Sequence, residues 1–426
     1  MQITIQPDRN IDGVIMAPPS KSMAHRAVLC AALAKGTSHI RNLEFSKDIA
    51  ATLTAAGQLC ARVTTGGNDA VVEGLGRFLP VEAPVDCCES GSTLRFLIPL
   101  ASLTGQEVTF VGRGRLMERP QSVYEALYRE QGLRFVQSPS GLTVEGALSS
   151  GDYTLAGNVS SQFISGLLFA TPLMEAPSTI EVRAPFESRS YVDLTTDAMQ
   201  KFGVKVSVRA RKDGSATYKV AAPQHYAAAD MDVEGDYSQA AFLAVLGSIV
   251  GGITITGLPS GSHQGDRVIL DILKQCGAKF ERSGSHVTFH RSLLKAVEID
   301  LADCPDLGPV LIALGCFCNG TTIIRNVGRL RIKECDRIAA MQEELAKMGG
   351  TVKADGDTLT IEGCALHKPT VPLNGHNDHR IVMAMAVASL AAGQPAVIEG
   401  ANAVNKSWPD FFEVIKGLGA HVTNQG

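Results

Sequence analysis

At 426 residues, 45% of them hydrophobic, the chain exceeds the roughly 250–300 residues at which a single core stops growing, so about two domains with large cores are expected. Lys and Arg total 39 against 43 Asp and Glu, a formal net charge of −4, which excludes the global basic field that drives nucleic-acid binding and leaves any anion site to a local cluster. The opening "MQITIQPDRN" has no basic segment followed by an apolar one, no uninterrupted apolar run approaches bilayer length, and the ten cysteines lack C-x-x-C spacing, so a cytoplasmic protein with reduced thiols is expected.

The first predicted element with chemistry in it is "PPSKSMAHRAVLCAALAKG": two prolines, then Lys21, Ser22, His25 and Arg26, then an apolar helix closed by glycine. Cations at a helix N-terminus oppose the macrodipole, which points to a negative partner there. The same construction returns in "ESGSTLRFLIPLASLTG", "SSQFISGLLFATPL", "DYSQAAFLAVLGSIVGG", "PDLGPVLIALGCFCNG" and "NDHRIVMAMAVASLAAG". The six starts fall near Ser20, Glu89, Ser160, Asp236, Pro305 and Asn377, a period of roughly 70 residues. After most of them a glycine leads into an alternating strand such as "GQEVTFVG" or "GTTIIRNV", and a second, amphipathic helix such as "RIAAMQEELAKMGG" follows. Each unit reads as βαβαββ with the apolar helix as its core element. Six copies of so long a unit fit an α/β fold of two lobes, three repeats in each, better than a solenoid, whose repeats run to about 20–45 residues. Six helix N-termini then become available to hold anions through their backbone N–H groups.

Neither G-x-x-x-x-G-K-[ST] nor G-x-G-x-x-G occurs, so a nucleotide cofactor loses support. Cations mark the helix starts and loops instead: Arg95, Arg115, Arg119, Arg331, Lys333, Arg337, Arg380 and Lys406. If those starts converge they form one positive pocket suited to phosphate and carboxylate groups; the alternative is ordinary solvated charge. Ser160, Ser161, Gln162, Ser188 and Tyr191 offer hydroxyl and amide groups to a phosphate or polyol, or else ordinary N-caps. Asp306 in "CPDLG" and Glu334 in "KECDR" read in two ways. They are a helix-start acid and an ion-pair partner for Lys333 or Arg337, or an acid–base pair worth about 10² to 10⁴ each, with pKa values pushed apart. Among His25, His263, His376 and His379, "HNDH" suggests a metal, but no third ligand follows at matching spacing, and no metal is expected.

The motifs "PSKSMAHRAVLCAALAKG", "ESGSTLRFLIPL", "RLMERP", "VSSQFISGLL", "VEGDYSQAAFLA", "RIKECDR", "NDHRIVMA" and "KSWPDFF" carry a resemblance to the enolpyruvyl transferase family, in the family's order and across nearly the whole chain. Within that family it is most similar to the branch whose acceptor is shikimate 3-phosphate. The resemblance implies a two-lobed inside-out α/β barrel of six βαβαββ repeats. Lobe I would comprise residues 1–20 plus 234–426 on the phosphoenolpyruvate side, lobe II residues 21–233 on the shikimate 3-phosphate side, with crossings near 18–21 and 231–236. It also implies a monomer that transfers the enolpyruvyl group of phosphoenolpyruvate to the 5-hydroxyl of shikimate 3-phosphate, the step before chorismate in aromatic amino-acid synthesis and a target of the inhibitor glyphosate. No metal or organic cofactor, nucleic acid or membrane takes part in that scheme.

Carried over by position, Lys21, Gly91, Arg119, Gln162, Arg337, Arg380 and Lys406 are expected to hold phosphoenolpyruvate. Lys21, Ser22, Arg26, Ser160, Ser161, Gln162, Ser188, Tyr191, Asp306 and Lys333 are expected to hold shikimate 3-phosphate. Asp306 would take the hydroxyl proton, and Glu334, with Lys21 nearby, would protonate the methylene carbon. Departures stand where many members have "GNAGTAMRP": Glu89 replaces Asn, Ser90 replaces Ala and Phe96 replaces Pro, an arrangement expected to alter inhibitor sensitivity. Arg329 stands where an Asn often contacts the shikimate phosphate, and Cys335 where Thr is common. The alternatives are the sister transferase acting on UDP-N-acetylglucosamine and an inactive anion-binding homologue. Against the first, Ser22 rather than Asn follows Lys21, and "RGRLMERP" has no Cys; against the second, Lys21, Asp306 and Glu334 are all present.

Overall fold

Each of the six apolar segments forms a helix buried over most of its length, and each is followed by a second, one-sided helix. In chain order the pairs are α1 (Lys21–Leu33) and α2 (Lys47–Leu59), α3 (Gly91–Ser102) and α4 (Ser122–Glu130), α5 (Ser161–Ala170) and α6 (Arg189–Lys201), α7 (Tyr237–Val250) and α8 (Ile269–Gln275), α9 (Gly308–Phe317) and α10 (Arg337–Ala346), α11 (His379–Ala392) and α12 (Phe411–Gly417). Hydrophobicity on every face makes the first of each pair a core helix: α7 is buried from Tyr237 through Ser248 and α11 from His379 through Leu390. By contrast α4 buries only Tyr124, Leu127 and Tyr128, the i, i+3, i+4 stripe of an amphipathic helix. Side-chain oxygens of Ser90, Ser160, Asp236 and Asp378 accept backbone N–H bonds and start α3, α5, α7 and α11. Gly251 and Gly393, both at positive φ, close α7 and α11. After α1 the helix ends at Leu33, and Gly36 lies inside the strand that follows rather than at the cap.

The computed structural model describes residues 1–7 and 10–424, and they form two compact units, Met1–Ser20 with Glu234–Gly426 (unit 1) and Lys21–Val233 (unit 2). Among the described residues six four-stranded sheets accompany the helices, three in each unit. In unit 2, Lys35–Arg41 and Ala61–Gly66 both run antiparallel to Asp69–Leu75, and the fourth place is taken by Met231–Asp232 from the far end of the unit, parallel to Lys35–Arg41. Unit 1 is closed by its N-terminal segment: Gly13–Met16 pairs in parallel with Ile253–Thr256, and Gln2–Gln6 runs antiparallel between Ala396–Glu399 and His421–Asn424. The chain leaves unit 1 after Ser20 and returns at Glu234, and those two passages are bonded to each other, Ser20 N–H to the Glu234 carbonyl and Asp236 N–H to the Pro18 carbonyl, each at 2.7 Å.

Each unit has its own core. In unit 2 it runs from Ala24 to Val233 through α1, α3 and α5; in unit 1 it draws Ile3, Ile5, Ile11 and Ala17 together with α7, α9 and α11. The cysteines are unpaired and most are buried. Among the described residues no helix is long and apolar enough to cross a membrane.

Candidate active site

Unit 2 gathers hydrogen-bonding groups around the first turns of its core helices. Lys21 opens α1, and its Nζ lies 3.0 Å from Asp48 Oδ2 on α2, so the protein itself supplies the negative partner that the charged helix start called for. Arg26, one turn on, is buried: its Nε donates to Thr195 Oγ1 (2.8 Å), Nη1 to the Ser22 carbonyl (2.6 Å) and Nη2 to the Tyr191 carbonyl (2.7 Å). Its guanidinium also sits 5.2 Å from the centre of the Phe96 ring. Burial brings the Arg26 pKa down to about 10, against a partial offset from Tyr191. His25 is held neutral by burial and by the Lys21 and Arg26 charges, with Nδ1 2.7 Å from Thr52 Oγ1, the arrangement of a core histidine rather than a ligand.

Helices α3 and α5 pack so closely at Gly166 that a Cβ there would meet the Tyr124 hydroxyl at 2.2 Å and the Arg95 carbonyl oxygen at 2.4 Å. Between the two helices the Gln162 amide is held at both ends: Oε1 accepts from Arg95 Nη1 (2.7 Å) and Nε2 donates to Ser92 Oγ (2.9 Å). Arg95 is itself held by Gln121 Oε1 (3.3 Å) and the Pro120 carbonyl (3.2 Å), with its guanidinium 4.7 Å from the Phe163 ring. Among these contacts it orients Gln162. A Cβ at Gly91 would lie 2.8 Å from Arg119 Nη1, so glycine is what lets Arg119 reach the start of α3. Ser160 caps α5 by accepting from Gln162 N–H, Ser161 begins that helix buried, and Ser188, buried and in the left-handed region at φ 54, precedes α6, which carries Tyr191.

Unit 1 carries the carboxylates. Asp306 lies in a single helical turn before α9 and takes three cations: Lys333 Nζ at 3.1 Å and Arg337 Nη1 at 3.4 Å on Oδ1, and Arg380 Nη2 at 3.0 Å on Oδ2. Burial pushes its pKa up, but Arg380, Lys333 and Arg337 outweigh this and hold the carboxyl well below the usual range. Glu334 pairs with Arg337 Nη2 at 2.8 Å, which joins the two carboxylates through one guanidinium. Arg337 is 1% exposed, and its protonated form is favoured by Asp378, Glu334 and Asp306 against the pull of burial. Burial brings Lys333 down to about 8, with Asp306 opposing and the Arg329 and Arg337 charges adding to the fall. The chain's Arg329 therefore places its charge near Lys333. Lys406, also buried, donates from Nζ to the Asn377 carbonyl.

Several of these features escape a reading of the chain. Asp378 is fully buried and does two jobs: Oδ1 accepts the Arg380 N–H at 2.8 Å as the cap of α11, and Oδ2 accepts from Arg337 Nε at 2.8 Å. In "NDHR" it looks like any polar helix start. Gln137 Nε2 donates to the Met117 (2.6 Å) and Arg119 (3.0 Å) carbonyls and steadies the loop that carries Arg119. Conversely, Arg115 and Arg331, counted above with the cationic motifs, are half-exposed and paired with Glu118 and Asp336, each at 3.4 Å. Ser90 adds a cap, accepting from Thr93 N–H at 3.1 Å, and Phe96 is a core residue with its ring against Phe169 at 5.4 Å. Cys335 Sγ lies 3.6 Å from Asp378 Oδ2.

A family model described as EPSP synthase (3-phosphoshikimate 1-carboxyvinyltransferase) matches residues 5–415. A 3-phosphoshikimate 1-carboxyvinyltransferase of Clostridium kluyveri is 44% identical over 430 residues, covering 99% of this chain and 98% of the relative. One from Clostridium novyi is 40% identical, covering 96% and 95%. Among solved structures, an EPSP synthase from Acinetobacter baumannii superposes with a TM-score of 0.80 at 22% identity over the full length of both chains. The enolpyruvyl transferase NikO from Streptomyces tendae gives 0.79 at 16% identity, covering 99% and 98%.

Proposed function

The chain belongs to the EPSP synthase (3-phosphoshikimate 1-carboxyvinyltransferase) family, and we infer from its site how its residues carry out that enolpyruvyl transfer. Phosphoenolpyruvate gives its enolpyruvyl group to the 5-hydroxyl of shikimate 3-phosphate, forming 5-enolpyruvylshikimate 3-phosphate and inorganic phosphate. The residues assigned to shikimate 3-phosphate are Lys21, Ser22, Arg26, Ser160, Ser161, Gln162, Ser188, Tyr191, Asp306 and Lys333, and those assigned to phosphoenolpyruvate are Lys21, Gly91, Arg119, Gln162, Arg337, Arg380 and Lys406.

The observation that carries this reading is the Asp306 carboxylate under three cations, with Glu334 on the same Arg337. Paired this way Asp306 is a poor base. Anionic substrates would compete for Arg380, Arg337 and Lys333, withdraw those bonds and raise its basicity at the moment a hydroxyl arrives. Asp306 then accepts the 5-hydroxyl proton as that oxygen bonds to C2 of phosphoenolpyruvate, and Glu334, protonated and assisted by Lys21, delivers a proton to C3. In the elimination Glu334, left as a carboxylate, takes a proton back from C3 as the bond from C2 to the phosphate oxygen breaks, and Asp306 gives its proton to the departing phosphate, so both side chains return to their starting forms.

The test is phosphate release from phosphoenolpyruvate with shikimate 3-phosphate as acceptor and UDP-N-acetylglucosamine as control. Release with shikimate 3-phosphate alone is expected; release only with the sugar nucleotide overturns the assignment.

A further inference from the structure

Two consecutive non-glycine residues, His376 and Asn377, lie in the left-handed region at φ 48 and 51, directly before the cap of α11. Such a pair persists only where its surroundings over-determine it. The Asn374 Oδ1 accepts the His376 N–H at 2.7 Å and the Glu399 carbonyl accepts the Gly375 N–H at 2.8 Å, and to these local bonds α10 adds one buried carboxylate. Glu344, with a side chain 0% exposed, accepts the Asn374 N–H at 2.8 Å on Oε2, and its Oε1 lies 2.8 Å from His376 Nε2. Lys347 Nζ closes the group at 2.8 Å and 2.9 Å from the two oxygens. Glu343, Glu344 and His376 also lie close enough together to suggest a metal, but the Lys347 ammonium already supplies the cation both carboxylates need.

The turn so held also bonds the cations assigned to phosphoenolpyruvate. The Asn377 carbonyl accepts from Lys406, and Asp378 takes Arg337 and caps Arg380. Helix α10 therefore grips this turn twice, through Arg337 at its start and through Glu344 two turns on.

We propose that Glu344 and His376 are positioning residues that lock the 374–377 turn and thereby set Arg337, Arg380 and Lys406 for phosphoenolpyruvate. This rests on the assignment of those three cations made above. KM and kcat for both substrates are to be measured in full-length His376→Leu, Glu344→Gln and His376→Gln, with Arg337→Ala beside them. The first two should raise the phosphoenolpyruvate KM about tenfold while leaving that for shikimate 3-phosphate within about twofold, because displaced groups lose orientation rather than charge. His376→Gln, which keeps an N–H donor for Glu344, should stay within about threefold of the parent. Unchanged phosphoenolpyruvate KM in His376→Leu and Glu344→Gln, equal losses for both substrates, or no rescue by Gln overturns the proposal. If Arg337→Ala raises the phosphoenolpyruvate KM while those variants do not, the clamp alone is wrong; if Arg337→Ala leaves it unchanged, the ligand assignment fails and the clamp with it.

Discussion

Lys333 and Asp306, 3.1 Å apart, are shifted in the same direction by different causes. The carboxylate lies far below its ordinary range, while burial brings the lysine down to about 8. As pH rises through that value in the free enzyme Lys333 loses its proton and its pull on an anion. kcat/KM for shikimate 3-phosphate should therefore fall above about pH 8, a limb that Lys333→Arg moves upward and Lys333→Met abolishes. A pH profile of kcat/KM with no basic limb in the parent would remove Lys333 from that role. The sign for stability is opposite: the unfolded chain binds more protons between about 8 and the ordinary lysine pKa of about 10.4, so unfolding free energy should rise across that window. Asp306→Ala and Glu334→Ala should each lower kcat by about 10² or more while shikimate 3-phosphate still binds. Rapid-quench turnover and calorimetric titration separate the two effects, and near-normal turnover in both variants would exclude the acid–base assignment.

At the scale of elements, α11 depends on Asp378 for two different things, and substitutions can tell them apart. Asn is a good N-cap and would keep the bond to the Arg380 N–H, but it leaves Arg337 short of a charge partner; Ala removes both. Asp378→Asn should cost about 2 kcal/mol, the worth of a hydrogen bond between charged groups, because Glu334 and Asp306 still pair with Arg337, and Asp378→Ala about 1 kcal/mol more for the cap. Urea denaturation midpoints check this, and equal costs would mean that the cap contributes nothing. The helices were legible because an apolar run with a polar start and a glycine near its end is local information. Asp378 was not, since nothing in "NDHR" says that a side chain from α10, 41 residues earlier, comes to meet it. The strand partners were equally hidden: Gly13–Met16 pairs with Ile253–Thr256 across most of the chain, and no local pattern encodes that register. The cationic motifs pointed to an anion site, yet Arg115 and Arg331 have the same composition signal as Arg119 and Arg337 and differ only in burial.

Across the whole molecule the sheets explain how a chain interrupted by 213 residues still makes one unit, Lys21–Val233 being the interruption. The N-terminal strands complete two of unit 1's sheets, and Ser20 and Glu234 are hydrogen-bonded neighbours, so excising residues 21–233 and joining 20 to 234 through a short Gly/Ser link leaves every pairing of unit 1 intact. Unit 2 is continuous and keeps its own closing strand, Met231–Asp232. Both pieces should therefore unfold cooperatively when made alone, as followed by circular dichroism in urea. They should then separate the ligands. Unit 2 retains Lys21, Ser22, Arg26, Ser160, Ser161, Gln162, Ser188 and Tyr191 but lacks Lys333 and Asp306. It should bind shikimate 3-phosphate about 10²-fold more weakly than the full chain, the loss expected for two charged contacts. The excised unit 1, with Arg337, Arg380 and Lys406, should show no measurable affinity for that ligand by titration calorimetry. Binding of shikimate 3-phosphate by unit 1 alone, with none by a folded unit 2, would reverse the division of labour between the units.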